Sequence, residues 1–423
     1  MNKKDNLLPQ PQLVGLKPSF GFGDRIGLAT FGHVSASRKG DLVPMFAQQS
    51  VREMERTNRT PMEVMLSAQK SLREVGWNNS WGADADHLKN RQDVIDLAAA
   101  GFTFFTIDPS DYVNDYANLL NGTDLQAAVD QVIKAGAFES LQQVTDLYLN
   151  KKFDLLGQLE VDSPNREDLF RSIVKYGLAV DYACQMANWV SSETDIFELE
   201  ISVDETDTAT SVWEHLFIAL ELQRRGVQVI SLAPRFVGEF EKGIDYKGDL
   251  KKFEKTLHQH VLIAQQYGPY KISVHSGSDK FSIYPILGRV CKNLLHVKTA
   301  GTSYLEALRV VARQNHRAFL EIIKYAIDRF ETDSATYHIS ANVEVLEDPV
   351  FLSPADREIA YLDEDNGRQV LHVSFGSVLT QGQMPNDQPF KELITETLEQ
   401  YSDLHEEFLS SHLGKHLELL SVG

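Results

Sequence analysis

The chain has 423 residues, of which 43% are hydrophobic, and its 41 basic and 60 acidic residues give a formal net charge of −19. Such an acidic surface repels nucleic acid and anionic lipid, which argues against a polyanionic partner. The chain has only two cysteines, and they lack the spacing of a disulfide framework or a metal site, which fits a reducing cytoplasm. No stretch approaches the ~18 apolar residues of a membrane span, so we expect a cytoplasmic protein with no membrane partner. The sequence leaves open whether the chain forms a homo-oligomer.

Short apolar strands alternate with amphipathic helices along the chain, a pattern that is typical of a parallel sheet. In chain order, strands are predicted at 25–30, 79–84, 102–108, 197–203, 227–233, 271–275 and 294–298, with 337–340 and 370–375 competing for the last position. Helices are predicted at 61–75, 88–100, 249–267 and 283–292, and after a capping box at Ser211–Glu214. Eight or nine strands suffice to close a (β/α)₈ TIM-type barrel, which is the predicted fold class.

One connection is too long for a single crossover between neighbouring strands. Residues 112–190 have a helical pattern, and we interpret them as a helical insertion after the third strand, within a single domain covering residues 1–423. Residues 390–413 are predicted to form C-terminal helices.

The segment from Phe197 to Asp204 alternates between apolar and polar residues, which places Glu198, Glu200, Ser202 and Asp204 on one face of a strand. The outer face of a barrel strand packs against helices, so the polar face is predicted to point into the barrel. Buried carboxylates are costly unless they are paired, protonated or bound to a metal. The alternative is an edge strand whose polar face contacts solvent.

Active sites of barrel enzymes lie at the C-terminal ends of the strands, and most of the predicted strands deliver ionisable residues there. These residues are His33, Asp84, Asp86, His87, Asp108, Arg235, Glu239, Glu241, His275, Lys298, His338 and His372. Each one alone has a structural alternative, such as an aspartate that caps a helix or a histidine that is merely hydrogen-bonded. Together they favour metal chemistry or general acid–base catalysis. The chain has no phosphate-binding loop and no dinucleotide fingerprint, so no nucleotide cofactor is expected.

Four segments resemble the tagaturonate epimerase family, in the order in which that family shows them. They are GADADHL at 82–88, ISVDETD at 201–207, FEKGIDY at 240–246 and VHSGSDKF at 274–281. The resemblance extends from about Phe20 to beyond Val370. The family interconverts tagaturonate and fructuronate, hexuronates that differ at C4, with the help of a divalent metal. The resemblance therefore implies a metal-dependent epimerase of hexuronate catabolism.

The resemblance also implies roles for individual residues. His87, Glu241 and His275 match the ligands of one divalent cation, which the sequence does not narrow beyond Zn, Mn, Ni or Co. Asp86 matches the proton acceptor and Glu200 the proton donor, with Glu198, Asp204 and Glu239 as rivals to Glu200. Two imidazoles and one carboxylate leave open coordination positions, as a catalytic metal requires. The candidates for binding the substrate carboxylate are Lys280, Lys298 and Arg235.

The chemistry at C4 restricts the mechanism, because the C4 proton is not adjacent to the C2 carbonyl and simple enolisation would invert C3. Without a redox cofactor, reversible cleavage of the C3–C4 bond is the economical route. The alternatives are a class II-type sugar aldolase, a ketose 3-epimerase, and a non-catalytic barrel that resembles an aldolase subunit.

Overall fold

A computed structural model describes residues 7–421 of the chain. The strands in this range are β1 (Ser19–Gly23), β2 (Val43–Ser50), β3 (Gly82–Leu88), β4 (Phe104–Ile107), β5 (Lys152–Leu155), β6 (Leu159–Asp162), β7 (Glu198–Val203), β8 (Ser231–Pro234), β9 (Lys271–Val274) and β10 (Leu295–Thr299). Eight of these strands form a closed barrel in the order β1-β10-β9-β8-β7-β4-β3-β2, and all of its neighbours are parallel. The prediction of a TIM-type barrel is confirmed.

Helices cover the outside of the barrel and continue beyond its last strand. Within residues 7–421 they are α1 (Thr30–Ser37), α2 (Val51–Thr57), α3 (Pro61–Glu74), α4 (Arg91–Ala99), α5 (Gly122–Lys134), α6 (Leu141–Tyr148), α7 (Arg166–Glu193), α8 (Val212–Arg224), α9 (Leu250–Tyr267), α10 (Tyr284–Cys291), α11 (Thr302–Gln314), α12 (His316–Ser334), α13 (Pro354–Leu362), α14 (Asp365–Val373), α15 (Phe375–Thr380), α16 (Phe390–Gln400) and α17 (Ser402–Ser421). Short 3₁₀ turns occur at Ser110–Tyr112, Asp115–Leu119 and Val343–Val345. None of the helices in this range is both long and apolar enough to cross a bilayer.

The first predicted strand, at 25–30, is wrong, because the chain turns there instead of extending. The Asp24 carboxylate accepts hydrogen bonds from the backbone N–H groups of Ile26, Gly27 and Ala29, at 3.1, 2.7 and 2.8 Å. These bonds close a tight loop directly after β1. The strand itself therefore lies earlier in the chain than the apolar pattern indicates.

The strand β2 was missed, because glutamines and a proline interrupt its apolar pattern. Gln48 and Gln49 are nevertheless buried, and the Gln49 amide donates to Glu53 at 2.9 Å. With β2 in place, the barrel closes without a contribution from the C-terminal segments. Residues 337–340 form no strand, and residues 370–373 end α14, so both candidates for the last strand are wrong.

The long connection between β4 and β7 is mostly helical, as expected, but it also contains the antiparallel hairpin of β5 and β6. Its last helix, α7, packs against α4 and α8 and so occupies the position of the crossover helix. The additional structure therefore ends before Arg166. The description of the chain as a single domain stays a prediction.

The C-terminal helices build a second apolar cluster beside the barrel, centred on α11, α12, α14 and α15. The predicted terminal helices correspond to α16 and α17. The last of these packs against α1 and α10, and so covers one side of the barrel near its first strand.

Candidate active site

The polar face of β7 points into the barrel, as its alternation predicts, and its carboxylates lie at different depths. Glu198 accepts hydrogen bonds from the backbone N–H groups of Val14 and Gly15, at 3.1 and 2.5 Å, at the N-terminal end of the barrel. Glu200 is fully buried in the middle, and Asp204 follows the C-terminal end of the strand. Of the carboxylates considered as proton donors, Glu200 therefore lies at the centre of the barrel. Glu198 instead binds the backbone of the N-terminal segment at the opposite end from the cavity.

Lys298 on β10 lies at the centre of a buried charge cluster. Its Nζ is 3.0 Å from Asp84, 2.7 Å from Asp86 and 2.9 Å from Glu200, and it donates to Thr106 Oγ1 at 2.5 Å. An ammonium has three N–H donors, so these partners use all of them. This geometry argues against Lys298 as the group that holds the substrate carboxylate.

The same cluster fixes the protonation states of its members. Burial would lower the pKa of Lys298, but Asp84, Asp86 and Glu200 raise it well above its usual range. Burial would raise the pKa values of Asp86 and Glu200, but Lys298 lowers both, with His87 adding to the effect at Asp86 and His275 at Glu200. The resting cluster therefore contains the Lys298 ammonium and the ionised carboxylates of Asp86 and Glu200.

His87 and His275 face each other across the cavity with ring centroids 4.9 Å apart. One potential ligand atom from each of Asp86, His87 and His275 lies within 4.8 Å of the others. The Nδ1 atom of His87 is buried and makes no hydrogen bond among residues 7–421, with Asp108 3.9 Å away, whereas Nδ1 of His275 lies 3.3 Å from the Asp204 carboxylate. A buried imidazole nitrogen without a hydrogen-bond partner, beside a second imidazole and a carboxylate, fits a divalent transition metal.

The backbone of β3 explains how two adjacent residues reach the same cavity. His87 has a φ of 56°, in the left-handed region, and the pairing of β3 with β4 shifts register between Ala85 and Leu88. Such a conformation is costly for a residue other than glycine and often marks a functional site. An extended segment would direct Asp86 and His87 in different directions, which is what the sequence alone indicates.

Glu241, the third predicted metal ligand, is not in the group formed by Asp86, His87 and His275. Its Oε2 accepts hydrogen bonds from Ser340 N, Ser340 Oγ and Gln369 Nε2, at 2.7, 2.7 and 2.8 Å. Its Oε1 has a longer contact of 3.5 Å with Lys247. One carboxylate oxygen is therefore fixed, and the role of Glu241 as a ligand stays a prediction.

The structure argues against Lys280 as a substrate-binding residue. Its buried Nζ donates to the backbone carbonyls of Glu241, Ile244 and Ser278, at 2.8, 2.5 and 3.0 Å, so it fastens the loop after β8. Arg235 does line the cavity, and its guanidinium is 3.9 Å from Glu239.

The cavity at the C-terminal end of the barrel has a volume of about 370 Å³. This falls in the lower part of the ~300–1,000 Å³ range of small-molecule sites. Sequence reasoning missed three cations that line it, Arg25, Arg52 and Lys242. None of them directly follows a predicted strand, although Lys242 lies within the FEKGIDY segment.

A second cluster of metal-ligand types, formed by Asp279, His412 and His416, has a structural role. His416 Nδ1 donates to the carbonyl of His412 at 2.9 Å, and its Nε2 accepts from Asp279 N at 3.0 Å, so neither nitrogen is free. Asp279 also pairs with Arg368 at 2.9 Å and with His412 at 2.5 Å. The cluster ties α17 to the loop after β9.

Replacing Asp279 by Asn is expected to lower the free energy of unfolding by about 3–5 kcal/mol, because the buried Arg368 loses its charged partner. Denaturant unfolding measures this loss. The matched control is Glu407→Gln, which removes an exposed carboxylate from α17, the helix that the cluster holds in place. If the two variants were equally stable, the cluster would have no structural role.

Comparison with known proteins assigns the chain to a family. The family model described as UxaE, tagaturonate epimerase, matches residues 3–420. A tagaturonate/fructuronate epimerase from Thermotoga maritima is 43% identical over 413 residues, which are 97% of this chain and 82% of that protein. The native crystal structure of the fructuronate-tagaturonate epimerase UxaE from Cohnella laeviribosi is 34% identical, with a TM-score of 0.90 over 97% of this chain and 83% of that chain. The complex of that enzyme with two glycerols, also 34% identical, gives a TM-score of 0.91 over 98% and 83% of the two chains. The resemblance of the four segments is thus confirmed, and the chain belongs to the tagaturonate epimerase family.

Proposed function

We propose that this protein interconverts D-tagaturonate and D-fructuronate by inverting C4, in the catabolism of hexuronates. The observation that carries the proposal is the contact of Lys298 with both Asp86 and Glu200, beside the facing imidazoles of His87 and His275. An epimerase needs groups that remove a proton and return it. The cavity holds them together with residues suited to a metal, and the relatives described above carry this activity in their names.

The proposed cofactor is one divalent cation held by His87, His275 and Glu241. The unpartnered Nδ1 atom of His87 and the grouping of His87 with His275 support this assignment. For Glu241, the hydrogen bonds from Ser340 and Gln369 to one oxygen leave the other available, since ligating carboxylates are commonly held from behind. When bound, the cation would supply a Lewis acid for the negative charge that develops on the C2 oxygen of the substrate.

Asp86 is proposed to accept the proton of the C4 hydroxyl group. Burial would raise the pKa of Asp86, but the Lys298 ammonium lowers it, so the carboxylate is ionised in the resting state, as accepting a proton requires. The C3–C4 bond then breaks, its electron pair passes to C3 to give an enediolate, and C4 becomes an aldehyde carbon. After the aldehyde turns its other face towards C3, the bond forms again with the opposite configuration at C4.

Glu200 is proposed to return the proton, and Lys298 links it to Asp86. When Asp86 is protonated, Lys298 loses one of its three counter-charges, which lowers the pKa of its ammonium. Lys298 thereby becomes a better proton donor towards Glu200, 2.9 Å away, and it regains a proton from Asp86, 2.7 Å away, so the cluster returns to its resting state. The two carboxylates and the lysine then form one proton circuit.

The proposed function is tested by incubating metal-loaded protein with tagaturonate, without nicotinamide, and following C4 by NMR. The expected product is fructuronate. Release of two three-carbon fragments would favour a class II-type aldolase, and inversion at C3 would favour a ketose 3-epimerase. No conversion with any of Zn, Mn, Ni or Co would favour a non-catalytic barrel.

A further inference from the structure

The cations that line the cavity differ in how well they are paired with acids. Arg25 donates to Glu53 at 2.7 Å, and Arg52 donates to Glu205 at 2.6 Å. Lys298 is surrounded by three carboxylates, as described above. These side chains are already neutralised within the protein, so they have little capacity to bind a further anion.

Among the cations of residues 7–421 that line the cavity, Lys242 differs in having no acidic side chain paired with it. Its Nζ donates no hydrogen bond, and no carboxylate oxygen of those residues lies within 4.0 Å of it, although the side chain is half-buried. Arg235 keeps only a long contact of 3.9 Å to Glu239 and is more exposed. A half-buried ammonium without a direct ion-pair partner, with only the more distant carboxylates of Glu53, Asp204 and Glu205 around it, is stabilised when an anion enters the cavity.

The backbone around Lys242 is fixed from several directions. The carbonyls of Glu241 and Ile244 accept from Lys280 Nζ, and the carbonyl of Gly243 accepts from Arg368 Nε at 2.8 Å. The carbonyl of Lys242 itself accepts from Gln369 Nε2 at 3.3 Å. Every carbonyl from 241 to 244 is therefore held by a side chain, so the loop presents Lys242 to the cavity from a rigid support.

We propose that Lys242 binds the C6 carboxylate of the substrate and makes the cavity selective for sugar acids over neutral sugars of the same length. This inference rests on the proposed function and names the residue that recognises its substrate class. It also gives Lys280 a role, as the residue that positions the Lys242 loop. A rigid support reduces the ordering cost of binding, since less conformational freedom is lost when the anion arrives.

Calorimetric titration of the metal-loaded protein with galactonate and galactitol tests this inference. The two probes share a six-carbon chain and differ in that galactonate carries a carboxylate. Wild type is expected to bind galactonate about 10- to 100-fold more tightly than galactitol, which is the range for a charge-assisted hydrogen bond. Lys242→Gln should remove this preference and leave the affinity for galactitol and the metal content unchanged. Lys242→Arg should restore most of it.

The controls separate a local effect from a general one. Lys251→Gln removes an exposed lysine nine residues further along and should keep the preference for galactonate. The inference is overturned if wild type shows no preference, if Lys242→Gln keeps it, or if Arg235→Gln alone abolishes it. Because binding requires no turnover, these results are independent of whether wild type inverts C4 of tagaturonate, which tests the proposed function separately.

Discussion

Replacing His275 by Ala is expected to abolish tight binding of the divalent metal and, with it, catalytic activity. The variant leaves His87 facing an empty position, and removing one of three protein ligands makes a metal site inadequate. His275 also contacts Glu200 at 2.8 Å, so its loss disturbs the proton circuit as well. Metal analysis after dialysis should give about one ion per wild-type chain and almost none for the variant.

The matched control for this prediction is His338→Ala. His338 lines the same cavity but is 69% exposed in its side chain and pairs with Glu239 at the rim. This variant should keep its metal. Full metal occupancy in His275→Ala, with the fold intact, would remove His275 from the ligand set.

The second large effect is expected for Asp86→Asn, which should lower kcat by about 10²- to 10⁴-fold, the usual contribution of a positioned general base. An amide has nearly the shape of a carboxylate but cannot accept the proton. Glu200→Gln should have a similar effect. The double variant should lose much less than the product of the two single losses, because both residues serve one circuit through Lys298.

The control for these variants is Asp207→Asn, which removes a carboxylate that lines the cavity but does not contact Lys298. Metal content must be measured in parallel, since Asp86 lies within ligand distance of both histidines. Loss of metal from Asp86→Asn together with full metal in Glu241→Gln would contradict the proposed roles and assign Asp86 as the third ligand.

Local patterns were sufficient to predict most of the barrel. The capping box at Ser211–Glu214 begins α8 as expected, and the alternation along β7 correctly places Glu200 inside. Both signals depend on residues close in sequence. The strand β2 escaped prediction because Gln48 and Gln49 are stabilised by hydrogen bonds with Asp86 and with the backbone N–H of Asp24, which exist only after β1, β2 and β3 assemble.

The details of the site depend on contacts between distant parts of the chain. Lys298 is 212 residues from Asp86, and Ser340 is 99 residues from the Glu241 carboxylate that it holds. Strand-end reasoning found Lys298 but included it among three candidates for binding the substrate carboxylate, because the sequence does not show that three carboxylates surround it. The same reasoning overlooked Lys242, because the sequence does not show which cavity cation has no ion-pair partner among residues 7–421.

Tagaturonate deuterated at C4 gives the most direct test of inversion by carbon–carbon cleavage. The C4–H bond stays intact when the C3–C4 bond breaks, so the fructuronate formed should retain deuterium at C4, with only a small secondary isotope effect on the rate. NMR of the product and a comparison of initial rates measure both quantities. Loss of deuterium to water, or a large primary isotope effect accompanied by bound nicotinamide, would contradict the proposed mechanism.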